Sequence, residues 1–162
     1  MRTIQRVTLL SLLLLSFTAA ASAQWMRTNG PYGGFIQALA WGSDGKGGRL
    51  LYAASPFGGV FRSADSARNW TAINRGLDFL VSPSALATRI DVQHPESPST
   101  VFLGTTHGGL QRSTDMGEFW QRSGADVITN GILSIAVAPD SQHAVFVGTY
   151  GTGFFISLDN GD

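Results

Sequence analysis

The turn sequence Ser-x-Asp-x-Gly-x-x-Trp occurs twice in this chain, and the sequence given stops inside a third copy. The first is Ser63-Ala64-Asp65-Ser66-Ala67-Arg68-Asn69-Trp70, with alanine in the glycine place. The second is Ser113-Thr114-Asp115-Met116-Gly117-Glu118-Phe119-Trp120, and the third is Ser157-Leu158-Asp159-Asn160-Gly161-Asp162. The spacings are 50 and then 44 residues. A turn repeated at such a period belongs to a repeated supersecondary unit, so the chain is confined to repeat architectures. The residue types fit a tight turn. Serine and aspartate there bond their own backbone, and glycine tolerates a left-handed conformation.

The segment before each turn repeats as well. Tyr52-Ala53-Ala54-Ser55-Pro56-Phe57-Gly58-Gly59-Val60-Phe61-Arg62-Ser63 aligns without gaps to Phe102-Leu103-Gly104-Thr105-Thr106-His107-Gly108-Gly109-Leu110-Gln111-Arg112-Ser113. The third unit carries Phe146-Val147-Gly148-Thr149-Tyr150-Gly151-Thr152-Gly153-Phe154-Phe155-Ile156-Ser157. Short apolar runs, 20 glycines and few Lys or Glu favour strands joined by tight turns over helices. The runs predict strands at 36–41, 50–54, 59–64 and 70–74 in the first unit. In the second they fall at 85–92, 101–105, 109–114 and 119–122, and in the third at 133–138, 145–149 and 153–158. Asp44-Gly45 and the Gly-Gly pairs punctuate the hairpins. Four antiparallel strands recurring every 40–50 residues or so form the blade of a β-propeller. The fold class is therefore all-β, with blades near 36–74, 85–122 and 133–162.

On these residues the repeats resemble the Asp-box (BNR) repeats of secreted propellers. That group includes sialidases, xyloglucan-degrading glycoside hydrolases, sortilin-type ten-bladed domains and photosystem II assembly-factor propellers. The resemblance spans nearly all of the chain after residue 23. It implies that the box is the hairpin between the third and fourth strands of a blade, and that its tryptophan packs between sheets. Ser63, Asp65, Trp70, Ser113, Asp115, Gly117, Trp120, Ser157, Asp159 and Gly161 are then structural. Ala67 departs from the pattern, and a left-handed alanine costs roughly 1 kcal/mol.

The two ends of the sequence match each other. Gln24-Trp25-Met26-Arg27 is similar to Asn69-Trp70-Thr71-Ala72 and to Phe119-Trp120-Gln121-Arg122, where fourth strands begin. Residues 24–28 are thus expected to act as the fourth strand that closes the last blade. Three blade equivalents are fewer than the roughly four to eight of a closed ring. The remaining blades are expected from a longer chain or from a homo-oligomer.

Residues 1–23 read as a secretory signal peptide. Arg2 and Arg6 precede an apolar run over 7–17, and Ala21-Ser22-Ala23 is a small-x-small cleavage site. The run is far shorter than the ~20 apolar residues of a spanning helix. The expectation is a secreted or periplasmic protein cleaved after Ala23, with no transmembrane segment left. Loss of Arg2 and Arg6 leaves 9 basic residues against 11 acidic ones, a net charge of −2. That balance gives no electrostatic case for nucleic acid. Cysteine is absent, which removes disulfides and thiolate metal sites.

Ligand contacts are expected at the end of the blades formed by the loops between second and third strands and by the blade-to-blade connections. The candidates there are Phe57, His107, Tyr150, Asp78 and Asp126, accompanied by Pro56, Thr106, Phe79 and Asn130. Glycoside hydrolysis needs a carboxylate pair across the sugar bond. The resembling xyloglucan-degrading enzymes carry an aspartate just before the Gly-Gly of a blade. Here those places hold Pro56, Thr106 and Tyr150. Arg62 and Arg112 occupy one repeated strand position, filled by Ile156 in the third unit, which is not the arginine cluster a sialidase needs. His94, His107 and His143 lie in separate loops, so no metal and no cofactor is expected. The sequence points to a non-catalytic binding or scaffold module with a protein or carbohydrate ligand. The alternatives are a fragment of a carbohydrate-active propeller hydrolase and an assembly factor docking on a membrane protein.

Overall fold

The computed structural model describes residues 25–31, 34–78, 82–91, 94–125, 128–139 and 143–162. The proposed signal peptide lies outside them, as do Phe79 and Asp126. Eleven strands are formed among the described residues. The first sheet runs β1 (Ala38–Ser43), β2 (Arg49–Ser55), β3 (Gly59–Ser63) and β4 (Thr71–Ala72) in sequential order. The second repeats that order with β5 (Pro83–Arg89), β6 (Thr100–Thr105), β7 (Leu110–Ser113) and β8 (Gln121–Ser123). The third holds β9 (Ile132–Val137), β10 (Val145–Thr149) and β11 (Phe154–Ser157). All neighbouring strands are antiparallel. The protein is a partial β-propeller of three blades, and its strands lie within about three residues of those read from the sequence.

The core sits between blades, not within them. A sheet buries side chains on both faces when another sheet covers each face, and β6 is buried along its whole length for that reason. Tyr52, Val60 and Ile73 of blade 1 meet Leu86, Val101, Leu103 and Trp120 of blade 2 in one cluster. Ala85, Phe102 and Leu110 of blade 2 meet Ile132, Val145 and Val147 of blade 3 in the other. The parity of each strand sets the partner: Val101 and Leu103 point to blade 1, while Phe102 points to blade 3. The first strands adjoin one another, β1 on β5 and β5 on β9.

One expectation is corrected. Trp70 is only half-buried, whereas Trp120 is 1% exposed. Trp120 inserts back toward the preceding blade, and no blade precedes the first among the described residues. Residues 25–28 form no strand in the single molecule, Trp25 is fully exposed, and the third sheet has three strands.

The turns obey one hydrogen-bond scheme. Ser63 Oγ accepts from the Ala67 backbone N–H at 3.0 Å, and Ser113 Oγ accepts from that of Gly117 at 2.8 Å. Ser157 Oγ accepts from that of Gly161 at 2.8 Å. Each serine hydroxyl also donates to the aspartate two residues on. Two consecutive residues in each turn are left-handed: Ser66 and Ala67, Met116 and Gly117, Asn160 and Gly161. At the second of these places Ala67, with φ 66°, carries a left-handed cost that Gly117 and Gly161 escape. Ala67→Gly is expected to stabilise by about 0.5 kcal/mol, the strain relieved exceeding glycine's extra chain entropy. Urea unfolding checks this, and destabilisation would mean the buried methyl matters more.

Candidate functional site: the loop end of the blades

The repeated turns define the structural end of the blades, and their aspartates are held ionised by it. The Asn69 backbone N–H, its side-chain amide and the Ser63 hydroxyl bring the Asp65 carboxyl down to about 2. The Ser157 hydroxyl is the main cause that lowers Asp159. At Asp115 burial opposes ionisation, but the Ser113 hydroxyl and the Phe119 N–H outweigh it and lower the carboxyl. A folded-state value below the unfolded one gives stability that is present above the unfolded carboxylate value and is lost as pH falls through the folded one. For Asp65 that window runs from about 4 down to about 2. Acid unfolding should therefore be shallower in Asp65→Asn than in the parent over that window. An identical pH profile for the two proteins would contradict the link.

The same turns lock each blade to the one before it. Arg62 donates through Nη1 to the Met116 carbonyl at 2.9 Å and through Nη2 to Glu118 Oε1 at 2.8 Å. One blade on, Arg112 pairs with Asp162. The two arginines that repeat in the sequence are inter-blade clamps.

The opposite end gathers the second-to-third strand loops. One opening of about 470 Å³ is lined by Pro56, Thr106 and Tyr150, the aligned positions of blades 1, 2 and 3. Gln37, Ser82 and Leu133 complete its wall. Backbone bonds fix these loops: Thr106 N–H donates to the Ser82 carbonyl at 2.9 Å, and Tyr150 N–H to the Gly131 carbonyl at 2.8 Å. A second opening of about 460 Å³ lies between the Phe57 loop and the connection that follows β4, with Asn74, Arg75 and Asp78 on its wall. Asn74 organises it, accepting from the Val60 N–H at 2.7 Å and donating to the Gly58 carbonyl at 3.3 Å.

The sequence candidates divide between these openings. Phe57 and Asp78 share the second opening, and Tyr150 lines the first. Phe57 is 87% exposed and Tyr150 75% exposed, so their rings face solvent at the openings. His107 is exposed, bonds Thr106 Oγ1 through Nδ1 at 2.9 Å, and lines neither opening. Asp126 lies outside the described residues. Gln37, Arg75 and Leu133 were missed, because the start of a strand and the residue after one carry no motif. The loop end follows from the alternation of hairpins, which could have pointed to them.

Asp78 is the one carboxylate on the walls of these two openings among the described residues. No group of three or more His, Asp or Glu side chains there could hold a metal ion. No helix among the described residues is long and apolar enough to cross a membrane.

No family model and no curated protein matches this chain. Among solved structures it is similar to the GH74 xyloglucanase from Xanthomonas campestris, with a TM-score of 0.59 and 22% identity. The likeness covers 80% of this chain and 20% of that one. The chain thus spans about a fifth of that enzyme's length, and the likeness bears on the fold alone.

Proposed function

We propose that this chain is three blades of an exported Asp-box propeller whose loop end binds a carbohydrate chain without cleaving it. The observation that carries the reading is the meeting of the three aligned loop positions Pro56, Thr106 and Tyr150 at one opening, beside a second opening at Phe57. Exposed aromatic rings with a few polar groups suit an extended, uncharged ligand: the rings cover apolar sugar faces, while Gln37, Asn74 and Asp78 offer hydrogen bonds. Among the described residues the two openings carry one carboxylate, Asp78, where general acid–base hydrolysis uses two.

Xyloglucan oligosaccharide is the probe for calorimetry. Binding is expected, with Phe57→Ala and Tyr150→Ala each weakening it by about tenfold. No binding, or binding unaffected by both changes, refutes the reading. The structural likeness to a xyloglucanase favours a second reading, a segment of a carbohydrate-active hydrolase. Turnover of xyloglucan that is lost in Asp78→Asn would select that one. Export itself is tested by N-terminal sequencing of secreted protein, where Gln24 is expected first and Met1 would refute cleavage.

A further inference from the structure

An asparagine followed by glycine is chemically labile, because no Cβ on the glycine shields its nitrogen from the asparagine side-chain carbonyl. The chain has three such steps, Asn29-Gly30, Asn130-Gly131 and Asn160-Gly161. The fold treats the last two in opposite ways. At Asn160-Gly161 both residues are tied. The Asn160 N–H donates to the His143 carbonyl at 3.0 Å, and the Gly161 N–H donates to Ser157 Oγ at 2.8 Å. Asn160 is held left-handed at φ 64°, and its Oδ1 is shielded from solvent. Attack needs the Gly161 nitrogen to give up the proton that the serine holds, so the turn must open first.

Asn130-Gly131 stands at the loop end, just before β9, and lacks that protection. Among the described residues the Gly131 N–H donates to no acceptor. Asn130 is half-buried, and its amide makes one long bond, from Nδ2 to the Tyr150 carbonyl at 3.4 Å. The glycine is imposed by packing. A Cβ at position 131 would lie 2.6 Å from the Thr106 carbonyl oxygen, a backbone atom of the neighbouring blade's loop. The close approach of blades 2 and 3 thus requires the residue that makes the step reactive.

We propose that Asn130 is a site of spontaneous conversion to aspartate and isoaspartate in the folded protein, and that the conversion releases the Tyr150 loop. The Gly131 nitrogen bonds to Asn130 Cγ, the bond from Cγ to the side-chain nitrogen breaks, and the Gly131 proton leaves with that nitrogen as ammonia. Water then opens the cyclic imide at either carbonyl, with no change of oxidation state. Opening at the main-chain carbonyl gives isoaspartate, which adds a methylene to the backbone ahead of Gly131. Two ties to Tyr150 are lost. The Gly131 carbonyl that accepts the Tyr150 N–H at 2.8 Å is displaced, and the donor to the Tyr150 carbonyl becomes a carboxylate, which only accepts. Gly131 and Tyr150 both line the opening of about 470 Å³, so the change alters its wall whatever ligand it takes.

The test keeps the purified chain at mildly alkaline pH and follows each Asn-Gly peptide by mass spectrometry, with enzymatic methyl labelling of isoaspartate. In the folded protein Asn130 should convert, while Asn160 converts slower by about tenfold or more, since local opening must precede its reaction. In urea the two should convert at similar rates, which assigns the difference to the fold. Hydrogen exchange at the Tyr150 amide should be faster in aged than in fresh protein. It should stay unchanged in aged Asn130→Gln, whose longer side chain disfavours the five-membered ring. An intact Asn130 in the folded protein, or an Asn160 that keeps pace with it, would overturn the inference. Tyr150 exchange that ageing leaves unaltered would overturn the release of the loop.

Discussion

Trp120→Ala is expected to lower unfolding free energy by about 3–5 kcal/mol, the range for deleting a buried aromatic ring. The ring is 1% exposed, and it fills the joint between the first two blades. Its removal opens a cavity and also strands the Ile73 carbonyl, which accepts the indole N–H. The Trp120 backbone N–H donates to the Arg75 carbonyl at 3.0 Å, so the same residue ties the chain of blade 2 to the connection after blade 1. Urea unfolding at unchanged m-value measures the loss. Trp70→Ala should cost distinctly less, because that ring is half-buried. A surface-like cost below about 0.5 kcal/mol at Trp120 would refute the claim that blade-to-blade packing holds the fold.

Gly76→Ala carries the next largest effect. Gly76 has φ of 91°, a conformation that costs a side chain about 1–2 kcal/mol. Its position also admits no Cβ, which would overlap the Trp120 carbonyl oxygen, a backbone atom that cannot turn aside. Overpacking of that kind adds about 1–3 kcal/mol. Gly47→Ala separates the two causes. Gly47 has φ of 89°, but a Cβ there meets nothing within 4 Å. Thermal or urea unfolding of both variants should show the larger loss at Gly76. Equal losses would mean that only the backbone angle counts and that the close approach of the blades does not.

The repeat was readable because its turns are local. Serine, aspartate and the left-handed pair lie within five residues, so the bonds of Ser113 and Asp115 follow from sequence neighbours. Strand limits were readable because Gly-Gly pairs and the turns bracket each apolar run. What the motif could not carry is the contrast between Trp70 and Trp120, which occupy one motif position. Arg62 and Arg112 likewise look like a shared strand position until the sheets are stacked and each meets an acid more than 40 residues away. At the loop end, Phe57 and Asp78 fall on one opening, Pro56, Thr106 and Tyr150 on another, and His107 on neither. That division depends on how neighbouring blades offset their loops.

By itself, then, the sequence determined the hairpin chemistry, the number of repeats and the two-residue alternation that makes each strand a strand. These depend on forces between residues close in the chain: side chain to backbone bonds, backbone angles and the pleat. The tertiary structure decided which side of each sheet is core. Val101 and Leu103 turn to one neighbour and Phe102 to the other, and a face becomes interior only where another sheet lies on it. Burial is a property of the pair of surfaces, so the same motif yields a sealed tryptophan at position 120 and a half-open one at position 70.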